Sequence, residues 1–239
     1  MKTPDMVFPP GVEPRFADSA HQTALELADT VAACLKDRLR IAERASLAVS
    51  GGSTPIPFFQ ALSCKDLEWG RVDVVLADER WVDETDADSN TRLVNANLLQ
   101  NNAAVARYFS LKQKGETPEE GLEYVRTALA HLTLPLDVLI LGMGDDGHTA
   151  SLFPDAPELA QAMAPESQEA VLATTPPSQA QRRITLTYAL LCGAGFTALH
   201  LKGGDKLDTL KRAMKHPDDV LSMPVRGFLK PGLQIFWSP

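Results

Sequence analysis

"LDVLILGMGDDGHTA" (136–150) joins an apolar run to a glycine-rich loop, and its reading decides the fold. The run is short, partly β-branched and closed by Gly142, which suits a strand buried on both faces of a parallel sheet. Gly142, Gly144 and Gly147 also fit G-x-G-x-x-G, the outline of a dinucleotide-binding loop. The same loop holds Asp145 and Asp146 at the two variable positions, where they would repel a pyrophosphate. No acidic residue ends a strand about 20 residues later to take a ribose hydroxyl; Glu166 and Glu169 precede the next strand. The spacing is therefore coincidental for a cofactor, and the residue types point to chemistry.

Asp146 and His148 are separated by one glycine, so a turn can bring carboxylate and imidazole together. A carboxylate on one ring nitrogen fixes the tautomer and raises the basicity of the other. His148 is thus a candidate general base near neutral pH, with Asp146 as its orienting partner. A metal site built from Asp145, Asp146 and His148 is the alternative, but it lacks the spaced His/Cys set of a zinc centre. No metal and no cofactor are expected. His21, His131, His200 and His216 lack such company and read as structural or solvent-facing.

Outward from this loop, apolar runs and helical periods alternate along all 239 residues. Ala24, Leu25, Ala28, Val31, Ala32, Leu35 and Leu39 predict an amphipathic helix over 18–40. "SLAV" (46–49), "VDVVLA" (72–77), "LDVLILG" (136–142), "QEAVLAT" (168–174), "TALHLKG" (197–203) and "LQIFW" (233–237) read as strands. Further helices are expected from Pro55, over 91–99, over "RRITLTYALLCGAG" (182–195) and over 205–214. Another opens at Pro118, behind a capping box of Thr117 and Glu120. This alternation implies βαβ units and a single-domain three-layer α/β/α sandwich, Rossmann-like, over 1–239. Its sheet should be mostly parallel with about six strands, and its ligand loops should follow the strands' carboxyl ends.

Apolar residues make up 44% and charged ones 23%, ordinary for a soluble globular enzyme. A net charge of −8 argues against nucleic-acid or anionic-membrane binding, and leaves room for a small anionic substrate where cations gather. Cys34, Cys64 and Cys192 lie far apart with no C-x-x-C, as reduced thiols do. "MKTPDMVFPPG" (1–11) has no apolar run of signal-peptide length, and no stretch approaches the ~18 apolar residues of a membrane span. A cytoplasmic monomer or weak homodimer is expected.

The unusual residues collect after predicted strands. In "SGGSTP" (50–55), Gly51 and Gly52 permit close backbone approach, and Ser53, Thr54 and the next helix's free amides can hold a phosphate. A plain turn capped by Ser53 or Thr54 is the other reading. "ADERWVD" (77–83) sets Asp78, Glu79 and Arg80 behind a strand, as site residues or as a solvated loop. "DSNTR" (88–92) opens a helix with Ser89 or Asn90 as cap and Arg92 one turn in. Arg183 is expected to begin a helix and Lys206 to open another, positions that suit a phosphate monoester. Arg182, Lys202, Lys211 and Arg212 read as surface charge, and 154–167 as either a lid or a surface connection.

Together "SGGSTP", "DERWV", "SNTR", "GMGDDGHTASLFP", "RITLT" and "GGDK", in this order, resemble the 6-phosphogluconolactonase family over about residues 50–206. The resemblance implies a sandwich shared with amino-sugar-phosphate deaminases and ribose-5-phosphate isomerases. It implies hydrolysis of 6-phospho-D-glucono-1,5-lactone in the pentose phosphate pathway, with His148 as base. It puts the phosphate at Gly52, Ser53, Arg183 and Lys206, a substrate-contacting arginine at Arg80, and the "SN-x-R" arginine at Arg92. Gly51, Thr54, Asp78 and Glu79 complete the expected substrate-binding set. The related deaminases carry a glutamate five residues after the histidine and usually an aromatic residue in place of Arg80. Phe153 and Arg80 here favour the lactonase. The alternatives are such a deaminase or isomerase, a non-catalytic sugar-phosphate-binding protein and, more distantly, a dinucleotide-dependent oxidoreductase.

Overall fold

β2 (Ala45–Val49), β3 (Val72–Leu76) and β6 (Val138–Leu141) are buried at every position. Successive side chains of a strand point to opposite faces, so these strands must be covered on both sides, and the layering follows. The structure, a computed structural model, describes residues 6–239; the first residues of the "MKTPDMVFPPG" start lie outside them.

The three strands centre a seven-stranded parallel sheet with β1 (Glu13–Phe16), β5 (Arg107–Phe109), β9 (Phe196–Lys202) and β10 (Leu233–Ser238). Its order is β1-β10-β9-β6-β2-β3-β5. The count differs from the expected six because β1 and β5, edge strands too short to show a pattern, are added while the strand expected at 168–174 pairs elsewhere.

A second, antiparallel sheet is formed by β4 (Asp78–Arg80), β8 (Arg183–Leu186) and β7 (Val171–Thr174), in that order. It corrects two expectations. The strand near 168–174 does not join the main sheet, and "RITL" is a strand, so Arg183 does not begin a helix. Its ladder partners come from residues 78–80 and 171–174, distant contacts that override the local helical spacing. The helix of that segment is only α6 (Tyr188–Leu191), capped by the Thr187 side chain.

α1 (Ala20–Leu39), capped by Ser19, packs on β2, β6 and β10 beside α2 (Ile56–Ser63). α2 has no side-chain cap, so Ser53 and Thr54 do not fill that role. α3 (Asn90–Asn97) is capped by Ser89, and α4 (Pro118–Leu129) by Thr117, with the Glu120 carboxylate accepting from the Glu116 amide. α5 (Leu159–Ala162) is a single turn; α7 (Gly204–Met214) follows β9. Among the described residues, no helix is long and apolar enough to cross a membrane.

The amino end of the sheet is fastened by one buried carboxylate. Asp73 accepts from Arg44 at 2.8 Å, from Arg107 at 2.9 and 2.6 Å, and from the Thr133 hydroxyl at 2.7 Å. Burial alone would raise its pKa, but these donors outweigh it and hold the carboxyl below its ordinary value.

Candidate active site

The carboxyl ends of β2, β3, β6 and β9 open into one cleft of about 390 Å³. That is where an open α/β sheet places its ligand. Residues 50–55 enter it after β2, Asp78 and Arg80 after β3, and 140–144 and 148–150 along and after β6. Lys202 from the end of β9 and Lys206 from the first turn of α7 line it too.

The loop after β6 is folded back on itself. The Gly144 amide donates to the His148 carbonyl at 2.9 Å, and the Gly147 amide to the Gly144 carbonyl at 3.1 Å. Asp146 Oδ1 accepts from the His148 amide at 3.0 Å and stands 2.6 Å from ring Nδ1. Burial would raise the Asp146 pKa, yet these bonds from His148 outweigh it and hold the carboxyl below its ordinary value. An ionised carboxylate only accepts, so Nδ1 carries the proton and Nε2 is left as the acceptor. The Phe153 ring stacks on the imidazole at 4.0 Å between centroids. Gly144 is required beneath it, since a Cβ there would lie 2.1 Å from the imidazole.

Asp145 turns elsewhere, to Lys206 Nζ at 2.6 Å, so Asp145, Asp146 and His148 do not converge on a common point as metal ligands would. Among the described residues, no three His, Cys, Asp or Glu side chains group in that way. The loop also runs into a turn rather than a helix, which leaves a pyrophosphate no helix N-terminus to sit on.

Arg80 and Arg183 are cross-strand partners in the small sheet, and both line the cleft. Arg183 is 5% exposed, donates to Gln179 Oε1 at 2.8 Å and lies over the Phe153 ring. Arg80 donates to the Asp88 carbonyl. Among the described residues, the Nε atoms of both guanidiniums are buried without a partner. Burial lowers the Arg183 pKa, and the nearby Asp78 charge draws it back up. Asp78 itself lines the cleft and accepts from Ser151 Oγ at 2.5 Å. Two guanidiniums with donors to spare form a site for an anion.

Gly51, Gly52, Ser53 and Thr54 line the wall of the cleft after β2. A Cβ on Gly51 would fall 1.9 Å from Asn90 Oδ1, and Asn90 Nδ2 donates to the Asp78 carbonyl at 3.1 Å. The first residue of α3 thereby locks the glycine loop against β4.

Two expected contact residues stand apart. Glu79 is fully buried outside the cleft lining and accepts from the amides of Arg80, Asn90 and Thr91 at 2.8, 2.8 and 2.7 Å. Burial raises its pKa in spite of these donors. Its work is to brace β4 against the start of α3. Arg92 is exposed on that helix and outside the lining as well.

Other residues line the cleft unforeseen. Lys202, expected as surface charge, is one, and Gln179 is another. His200 is a third: 6% exposed, edge-on to Phe58, with Nδ1 unpartnered among the described residues and its pKa pushed down by burial to about 4. The strand-end rule that flags the other loops applies to His200 and Lys202, whereas Gln179 carries no signal in sequence. None of residues 154–167 lines the cleft, so that connection forms no part of its wall.

Residues 18–237 match the family described as glucosamine-6-phosphate isomerases/6-phosphogluconolactonase. A 6-phosphogluconolactonase of Pseudomonas aeruginosa is 44% identical over 239 residues, covering 100% of both chains. One of Rhizobium meliloti is 42% identical, over 89% of this chain and 93% of that one. The crystal structure of a 6-phosphogluconolactonase from Shewanella baltica superposes with a TM-score of 0.92 at 38% identity, over 95% of this chain and 98% of that one. The chain belongs to the glucosamine-6-phosphate isomerase/6-phosphogluconolactonase family.

Proposed function

We propose that this protein hydrolyses 6-phospho-D-glucono-1,5-lactone to 6-phospho-D-gluconate, a step of the pentose phosphate pathway. The observation that carries the reading is the Asp146–His148 pair, 2.6 Å apart, whose histidine lines a cleft together with Arg80, Arg183 and Lys206. The names of its relatives support the same substrate.

On this reading Gly52, Ser53, Arg183 and Lys206 hold the phosphate and fix the ring, turning remote binding energy into orientation. His148 Nε2 takes a proton from water as the water oxygen attacks C1. Arg80 is the candidate partner for the oxyanion that forms. When the bond from C1 to the ring oxygen breaks, protonated His148 returns its proton to that oxygen, and the carboxylic product ionises. On the same reading Asp78, pinned by Ser151, and Thr54 contact the sugar, while Glu79 acts through β4 and α3 rather than on substrate.

The test is hydrolysis of the phosphorylated lactone against its unphosphorylated counterpart, with spontaneous opening subtracted. Preference for the phosphorylated lactone is expected. His148→Asn should fold normally and lower kcat by roughly 10²–10⁴. Near-parental turnover by that variant, or ammonia release from glucosamine 6-phosphate by the parent, would overturn the assignment.

A further inference from the structure

The catalytic loop carries two adjacent aspartates, and the proposed reaction employs only Asp146. Asp145 directs its carboxylate to Lys206, with Nζ donating to Oδ1 at 2.6 Å. Its backbone carbonyl accepts from Arg212 Nη2 at 2.6 Å and from Thr209 Oγ1 at 3.4 Å. Three residues of α7 therefore grip this one loop residue. Lys206 lines the cleft and its side chain is 28% exposed, whereas that of Asp145 is 77% exposed and outside the lining. The carboxylate meets the ammonium at the cleft's wet rim.

We infer that Asp145 is a built-in competitor for the phosphate clamp and sets how tightly the cleft holds a phosphate dianion. The inference rests on the reading of Lys206 as a phosphate-binding residue. An arriving phosphate must either draw the ammonium away from Asp145 or share it beside a like charge, and both weaken binding. The pair lies at the surface, so its effect is modest: about three- to tenfold in affinity. Such tempering has a use. Substrate and product carry the same phosphate, and a clamp at full strength lowers KM without raising kcat while it slows product release. The grip of Thr209 and Arg212 is on the backbone of Asp145, so the loop stays anchored when its charge is removed.

The experiment is a calorimetric titration with inorganic phosphate of the parent, Asp145→Asn, Lys206→Ala and the double variant, alongside lactone kinetics. Asp145→Asn should bind phosphate about three- to tenfold more tightly. Its KM for the phosphorylated lactone should fall by a similar factor, and the gain should vanish when Lys206 is alanine. Unchanged or weaker phosphate binding by Asp145→Asn overturns the inference, as does a gain that persists undiminished without Lys206. Should Lys206→Ala itself leave phosphate affinity unchanged, it is the assignment of Lys206 that fails, and the inference falls with it. Because the titration needs no turnover, its outcome is independent of the lactonase assay.

Discussion

At the scale of single residues, the site turns on two atoms of space. His148 and Asp146 fold back over Gly144, whose missing side chain is where the imidazole lies. Gly144→Ala should therefore displace the base while leaving the surrounding sheet intact. A shift of about 1 Å costs on the order of 10²-fold in rate, so kcat should fall by that factor with the circular dichroism spectrum unchanged. Steady-state kinetics near the parental values would contradict the geometry. The pairing of Asp146 with His148 was legible in the sequence because one glycine separates them and a turn suffices. The stacking of Phe153 on the ring was not, since nothing in a linear pattern says which way an aromatic side chain packs.

At the scale of elements, the amino and carboxyl ends of the strands divide the labour. Asp73 sits on β3 at the end remote from the cleft and draws Arg44, Arg107 and Thr133 onto one carboxylate. Asp73→Asn leaves two arginines facing a neutral amide, and should destabilise the fold by about 3 kcal/mol at neutral pH. Because the folded pKa is depressed, the stabilisation is present above the unfolded carboxyl value and disappears as pH falls through the folded one. The stability gap between parent and variant should thus close in acid, as urea melts across that range would show. A gap constant with pH would contradict the ion-pair account. Long buried strands and capped helices were legible because their patterns are local. β4 and β8 were not: three or four residues with mixed polarity become strands only when distant partners supply the ladder.

At the scale of the whole molecule, the sheet brings residues separated by more than a hundred positions to one cleft, and some of them are buried at a price in acid. His200 is held neutral under Phe58, with its folded pKa depressed to about 4. The stability tied to that depressed value is present above the unfolded histidine pKa of about 6.5 and is lost as pH falls toward the folded one. The parent should accordingly lose about 2 kcal/mol more than His200→Gln between pH 7 and pH 5. Denaturant melts at the two pH values measure this, and equal losses would mean that His200 is not buried as a neutral group.

The sequence by itself determined the class of fold, the strand-end loops and the Asp146–His148 pair, because apolar periodicity and short spacings act within a few residues. Only the tertiary structure decided that Arg183 stands on a strand opposite Arg80, that Glu79 braces α3, and that Asp145 belongs to Lys206. Each of those assignments depends on a partner supplied from another element, and burial, not residue type, determines whether a charge reaches the cleft, the core or the solvent.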